Sequence, residues 1–253
     1  MNELKGKIAL ITGVGRKEGI GAAICREFAK QGTDIFYTYW RDYDKSQFPE
    51  TASYKPEDFV QELEACGVRA QSVEMDLSKP ESTTMLFEVV RQRLGEPDIL
   101  INNACFDSEV AFLELTAESL DKHYAVNIRA ITFLCQEFVR GWQKKEGGRV
   151  VIMTSGQSLG SMGGHKIPYT ITKACAEMLA SQLAPELLAK GITINAVDPG
   201  PTDTGWMTEA LKKQIQKESS KGSLNTPVDT AKFIATLLID KAEPTGQVIH
   251  APR

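Results

Sequence analysis

A chain of 253 residues, 42% of them hydrophobic and 25% charged, is long enough to bury one substantial core, and its proportions are those of a globular protein. The formal net charge of −4, with no lysine or arginine block, argues against nucleic acid as a partner, and no apolar run approaches the roughly 20 residues a bilayer span requires. Five cysteines (Cys25, Cys66, Cys105, Cys135 and Cys175) stand 30 or more residues apart without a histidine cluster, so reduced thiols in a cytoplasmic protein are expected, with neither a metal site nor a disulfide framework.

In chain order, Met1 to Lys7 is too short and polar for a signal peptide, and the first strand is expected over Ile8 to Thr12. Helix is expected over Gly21 to Gln31, strand over Asp34 to Thr38, and then a long polar and aromatic connection from Arg41 to Pro56. Helix Glu57 to Cys66, strand Arg69 to Glu74, helix Pro80 to Leu94 and strand Ile99 to Asn102 continue the alternation. A long helix over Ala117 to Gln143 precedes strand Gly148 to Ser155, helix Tyr169 to Lys190 and strand Thr193 to Asp198. The pattern closes with helix Pro227 to Leu238 and strand Gln247 to His250, after a long segment from Pro199 to Thr226. Short apolar runs alternating with amphipathic stretches call for an α/β fold. The expectation is a three-layer, doubly wound (Rossmann) parallel sheet of seven strands, in one domain spanning residues 1–253 with a substrate lid at about 200–226. Trp206, Met207 and Leu211 on that lid suit either an apolar ligand or simple packing.

The first turn reads Thr12-Gly13-Val14-Gly15-Arg16-Lys17-Glu18-Gly19-Ile20-Gly21, between a strand and a helix. A dinucleotide's pyrophosphate meets unpaired backbone N–H groups at such a helix start, with Gly13 closing the turn and Gly19, Ile20 and Gly21 beside the phosphate. A glycine-rich turn that merely connects two elements is the plain alternative. Asp76-Leu77 and Asn102-Asn103-Ala104 end the third and fourth strands, where a doubly wound sheet binds ligands. Asp76 suits an adenine amine or a helix cap; Asn102 reads as structural, while Asn103 and Ala104 line the ribose. At the end of the second strand, Tyr39 and Arg41 stand with no acid before Asp42. With Arg16 and Lys17 in the loop, they favour NADP over NAD, because a basic side chain accepts the 2′-phosphate where an acid grips the 2′-hydroxyl.

Tyr169 and Lys173 are four residues apart on one helix, which puts phenol and ammonium on one face. A free phenol titrates near 10 and is a poor base at neutrality. A lysine cation and an oxidised nicotinamide would both favour phenolate, so Tyr169 can trade a proton with a carbonyl oxygen while hydride moves to carbon. Ser155, 14 residues before Tyr169, can donate to the developing oxyanion, and Asn127 can hold a water linking Lys173 to solvent. Separately, Ser155 could be a cap and Asn127 a satisfied core amide; the conjunction favours the catalytic reading.

On these residues the chain resembles the short-chain dehydrogenase/reductase family over essentially its whole length. The match extends to Val126-Asn127, Asp198-Pro199-Gly200-Pro201-Thr202 and Thr245-Gly246-Gln247-Val248. The resemblance implies a tetrad of Asn127, Ser155, Tyr169 and Lys173 with the nicotinamide contacted near Pro199 and Thr202. Within the family the chain is most similar to 3-oxoacyl-[acyl-carrier-protein] reductases of fatty acid metabolism. That implies a small carbonyl or alcohol substrate, including a carrier-bound acyl chain, and a homotetramer packed through the helices 117–143 and 169–190. It departs from the family pattern in having five residues between Gly13 and Gly19, Cys105 where glycine is usual, a Ser-to-Tyr interval one residue long with Ser158 as a competing hydroxyl, and the ending His250-Ala251-Pro252-Arg253. A cofactor-binding sensor without turnover, and a methyltransferase on a similar sheet, are the readings from other classes.

Overall fold

In the computed structural model, the residues described are 3–47, 55–156, 160, 164–205, 207–218, 224–239 and 244–252. Seven strands form one sheet: β1 (Ile8–Ile11), β2 (Asp34–Tyr39), β3 (Ala70–Glu74), β4 (Ile99–Asn102), β5 (Gly148–Met153), β6 (Ile192–Asp198) and β7 (Val248–His250). Their order is β3-β2-β1-β4-β5-β6-β7, and every pairing is parallel. The chain therefore winds outward in both directions from β1 and β4, whose carboxyl ends diverge into a crevice.

Both faces of the sheet are covered, and the strands show why they are so uniformly apolar. Ala9 and Ile11 of β1, Ile99 and Ile101 of β4, and Val151 and Met153 of β5 point to one layer. Leu10, Leu100, Val150 and Ile152 point to the other. The first layer is closed by α1 (Ile20–Lys30), α3 (Pro56–Glu64) and α9 (Pro227–Ile239); the second by α4 (Ser82–Arg93), α6 (Ile131–Gly141) and α7 (Ile167–Leu188). These match the expected elements within a few residues, and the doubly wound fold is as anticipated.

Three stretches differ. Arg41–Gln47 is a helix, α2, where a loop was expected; residues 48–54 of that connection lie outside the described set. Asp42 and Asp44 in its first turn and Lys45 in its last match the helix dipole, a signal overshadowed by the lack of an apolar stripe. The helix expected over Ala117 to Gln143 is α5 (Ala117–Tyr124), a π turn over Ala125–Ala130, and α6. Asn127 lies in that π turn. Between β6 and α9 the structure describes α8 (Glu209–Glu218), while Trp206 and the side chain of Leu211 there, and Ser158 after β5, are outside the described residues. Met207 is buried.

Candidate active site

The crevice beyond the strand ends is a cleft of about 790 Å³ running from the glycine-rich turn to Tyr169. Its near wall is the β1–α1 connection. Gly13 adopts φ +74°, and a Cβ there would stand 2.6 Å from the Cα of Ala104, so two loop backbones touch where only glycine fits. Gly19 is the N-cap of α1 and supplies no side-chain cap, which leaves the helix N-terminus open to an anion. Gly13, Arg16, Gly19, Ile20 and Gly21 line the cleft. Lys17 does not; it is exposed, and its carbonyl accepts from the Arg26 guanidinium at 2.7 Å.

Asn103 and Ala104 line the cleft, and Asn103 also stitches two loops together. Its Nδ2 donates to the carbonyls of Thr12 at 2.8 Å and Gly13 at 3.0 Å, while the Thr12 hydroxyl accepts from the N–H groups of Asn103 and Ala104. Asn102 is buried and donates to the Cys135 sulfur of α6 at 3.6 Å, so it ties strand to helix. Asp76 and Leu77 line the cleft, and the Asp76 carboxylate also accepts from the Ser78 N–H at 2.9 Å, so the capping role and the cleft position coexist.

Beyond β2, Tyr39 lines the cleft, but Arg41 does not: its guanidinium donates to Glu74 at 2.7 Å and lies 5.2 Å from the centre of the Tyr39 ring. Instead Trp40, just before α2, and Tyr43, Asp44 and Gln47 of α2 line the cleft, at spacings of three, four and seven that suit one side of a helix. Read as a helix, that spacing was the available signal. A Cβ on Gly15 would collide with the Asp44 carboxylate, and the Tyr43 hydroxyl accepts from the Asp107 N–H at 3.1 Å. Burial pushes the Asp44 carboxyl up to about 6, against the pull of Arg16. Arg16 itself donates to the Thr204 carbonyl at 2.9 Å, joining the glycine turn to the segment after β6. Pro199 lines the cleft, whereas the Thr202 hydroxyl turns inward to the carbonyls of Pro199 and Gly200 and to Thr230. Thr204 takes the cleft position expected of Thr202.

At the far end, Ser155 follows β5 and Tyr169 sits in the first turn of α7, and both line the cleft, with Ser155 near enough to act on the Tyr169 phenol. Lys173 is buried, one turn on; its ammonium lies 5.5 Å from the Tyr169 ring centre and donates to the Met153 carbonyl at 2.7 Å. Burial pushes the Tyr169 phenol well above its usual range, the negative charges of Asp107 and Asp198 push it further, and the Ser155 hydrogen bond pulls it back. The raised phenol favours its protonated form in this environment. Asn127 makes three direct bonds. Its Oδ1 accepts from the Phe106 N–H at 2.8 Å, and its Nδ2 donates to the Phe106 carbonyl at 2.8 Å and the Thr172 hydroxyl at 3.0 Å. The π turn aims this amide between the β4 loop and α7, where it clamps both.

The family model described as short chain dehydrogenase matches residues 7–215. An uncharacterized oxidoreductase of Bacillus subtilis (strain 168), YjdA, is 42% identical over alignments covering 99% of this chain and 97% of the relative. The 3-oxoacyl-[acyl-carrier-protein] reductase FabG of Aquifex aeolicus (strain VF5) is 30% identical, covering 98% and 96%. Among solved structures, a blue fluorescent protein from a metagenomic library in complex with NADPH superposes with TM-score 0.86 at 29% identity, covering 99% of this chain and 98% of that one. The angucycline C-6 ketoreductase LanV with bound NADP superposes with TM-score 0.84 at 29% identity, covering 99% and 95%. A family match across most of the chain, on a parallel sheet whose strand ends bring a serine, a tyrosine and a lysine to one cleft, means that this protein belongs to the short-chain dehydrogenase/reductase family of oxidoreductases.

Proposed function

We propose that the protein is an NADP-dependent oxidoreductase that interconverts a ketone and a secondary alcohol by hydride transfer, with Asn127, Ser155, Tyr169 and Lys173 as its catalytic group. The observation that carries this is that Ser155, Tyr169 and Lys173 line one end of a cleft, the Lys173 ammonium 5.5 Å from the Tyr169 ring centre, while the cleft's other end begins on an uncapped helix N-terminus. The residues present fit a dinucleotide: Gly13 and Gly21 leave backbone bare where a Cβ would strike Ala104 or Asn103, and the open end of α1 suits a diphosphate. When bound, the reduced nicotinamide supplies hydride. Ser155 would orient the carbonyl oxygen and donate to its developing charge. Tyr169, held protonated by burial, would hand that oxygen its proton. Lys173 retains N–H groups beyond the one given to Met153, and these would hold the nicotinamide ribose and favour phenolate after transfer.

NADP is preferred to NAD on two grounds: relatives of like fold carry NADP or NADPH, and Arg16 faces the cleft beside the second strand. Arg41, bonded to Glu74, is a weaker contributor than its sequence position implied. The substrate is a 3-oxoacyl thioester if the chain follows its FabG relative, or another small ketone or sugar if the cleft's own side chains decide. We read residues 1–253 as one domain with a lid over 200–226, and the protein as a cytoplasmic homotetramer. Leu120, Tyr124, Phe133, Ile171 and Met178 leave α5, α6 and α7 with exposed apolar side chains suited to such packing. Among the described residues no helix is long and apolar enough to cross a membrane. The test is reduction of a ketone panel with NADPH and NADH: turnover with NADPH, lost in Tyr169→Phe, is expected. Tight cofactor binding without turnover of any carbonyl would favour the sensor instead.

A further inference from the structure

Past Tyr169 the cleft is walled by two segments that meet, the stretch after β4 and the start of α7, joined where the Val110 N–H donates to the His165 carbonyl at 3.1 Å. The wall they make is polar. Lys166 is the N-cap residue of α7, one turn before Tyr169, and its ammonium donates to Asp107 at 2.6 Å and approaches Glu109 at 3.2 Å. An ammonium has three N–H donors, and those two carboxylates use two of them. The third N–H, the Ser108 hydroxyl and the second oxygen of Glu109 have no partner among the described residues, and all three residues line the cleft. Donors and acceptors thus line the same cleft as Tyr169, with Lys166 joining the two carboxylates. Asp107 is close enough for its charge to act on the Tyr169 phenol.

We infer that this wall is a subsite for the hydroxyl groups of a small polyhydroxylated ketone. This rests on the reductase reading and selects among its substrate classes. A hydroxyl both donates and accepts, so vicinal hydroxyls complement a surface offering both kinds of group. An alkyl chain complements neither, and laying one there would strip water from charged groups without replacing their hydrogen bonds. Two carboxylates against one ammonium leave a net charge of −1 on the triplet, which disfavours phosphate or carboxylate substituents. Glu109 and part of Asp107 stay in contact with water, so each hydroxyl contributes modestly, and selectivity accumulates over two or three of them.

The experiment compares kcat/KM with NADPH for erythrulose and dihydroxyacetone against their deoxy analogues butanone and acetone, and against acetoacetyl-coenzyme A. The inference requires the hydroxylated member of each pair to be preferred about 100-fold, the equivalent of two or three hydrogen bonds of roughly 1 kcal/mol each. Lys166→Met, which keeps the stem and removes the ammonium, should lower the erythrulose-to-butanone ratio at least tenfold. Equal loss on both ketones would make Lys166 a structural clamp and overturn the assignment, as would preference for butanone or the thioester. Threitol binding to the NADP-loaded protein, measured by calorimetry, reads the subsite without turnover. Its absence overturns the subsite even if ketones are reduced, while its presence with no carbonyl reduced refutes the reductase reading and leaves the subsite standing.

Discussion

Replacing Asn127 with alanine separates a clamp from a proton relay. The side chain is buried at 1% exposure and makes three hydrogen bonds, two to the Phe106 backbone at 2.8 Å and one to Thr172 at 3.0 Å. Truncation strands the Phe106 N–H and carbonyl, each costing about 1–3 kcal/mol if water cannot replace the amide. Phe106 is only half-buried, which favours the lower end, so about 2–4 kcal/mol in total is expected. At about 2–4 °C per kcal/mol for a chain of this size, the midpoint should fall by about 4–16 °C. Because the freed segment carries Asp107 and lies against Tyr43, turnover should fall as well, through misplacement of the cleft wall. Urea denaturation followed by tryptophan fluorescence gives the stability, and NADPH oxidation with a reducible ketone gives kcat and KM. Full stability with turnover abolished would refute the clamp and restore the relay; no change in either would mean the three bonds contribute nothing.

Three further outcomes follow from the cleft's near end. The Asp44 carboxyl holds its proton to about 6 in the folded protein against 3.8 ordinarily, so the folded state binds more protons between those values. Stability should therefore fall as pH rises through that window, and Asp44→Asn should flatten the slope in thermal melts; a wild-type slope of the opposite sign would refute it. Gly13→Ala should weaken NADPH binding more than tenfold in a fluorescence titration, because its Cβ meets Ala104 backbone at 2.6 Å and the left-handed conformation costs an L-residue about 1–2 kcal/mol. Arg16→Ala should raise KM for NADPH about 10- to 100-fold, the value of about 1.5–3 kcal/mol for hydrogen bonds to a charged group, and leave NADH much less affected. An equal loss with both cofactors would assign Arg16 only the Thr204 contact it makes at 2.9 Å.

What the sequence by itself determined is what depends on neighbours along the chain. Strand and helix periods repeat within a few residues, so the alternation from Ile8 onward specified the parallel sheet and both its helical layers. The same locality made the open end of α1 legible from Gly13 to Gly21, and the pairing of Tyr169 with Lys173 legible from their spacing on one helix face. What only the tertiary structure decided is which polar partner each side chain takes, since such partners come from anywhere in the chain. Arg41 finds Glu74 across a strand pairing, Thr202 turns to Thr230, and Lys173 gives a proton donor to Met153. The inner face of α2 packs on a cleft rather than a core, so it shows no apolar stripe and its Tyr43 and Asp44 stayed hidden. The upward push on the Tyr169 phenol comes first from burial by residues distant in sequence, which local spacing does not show.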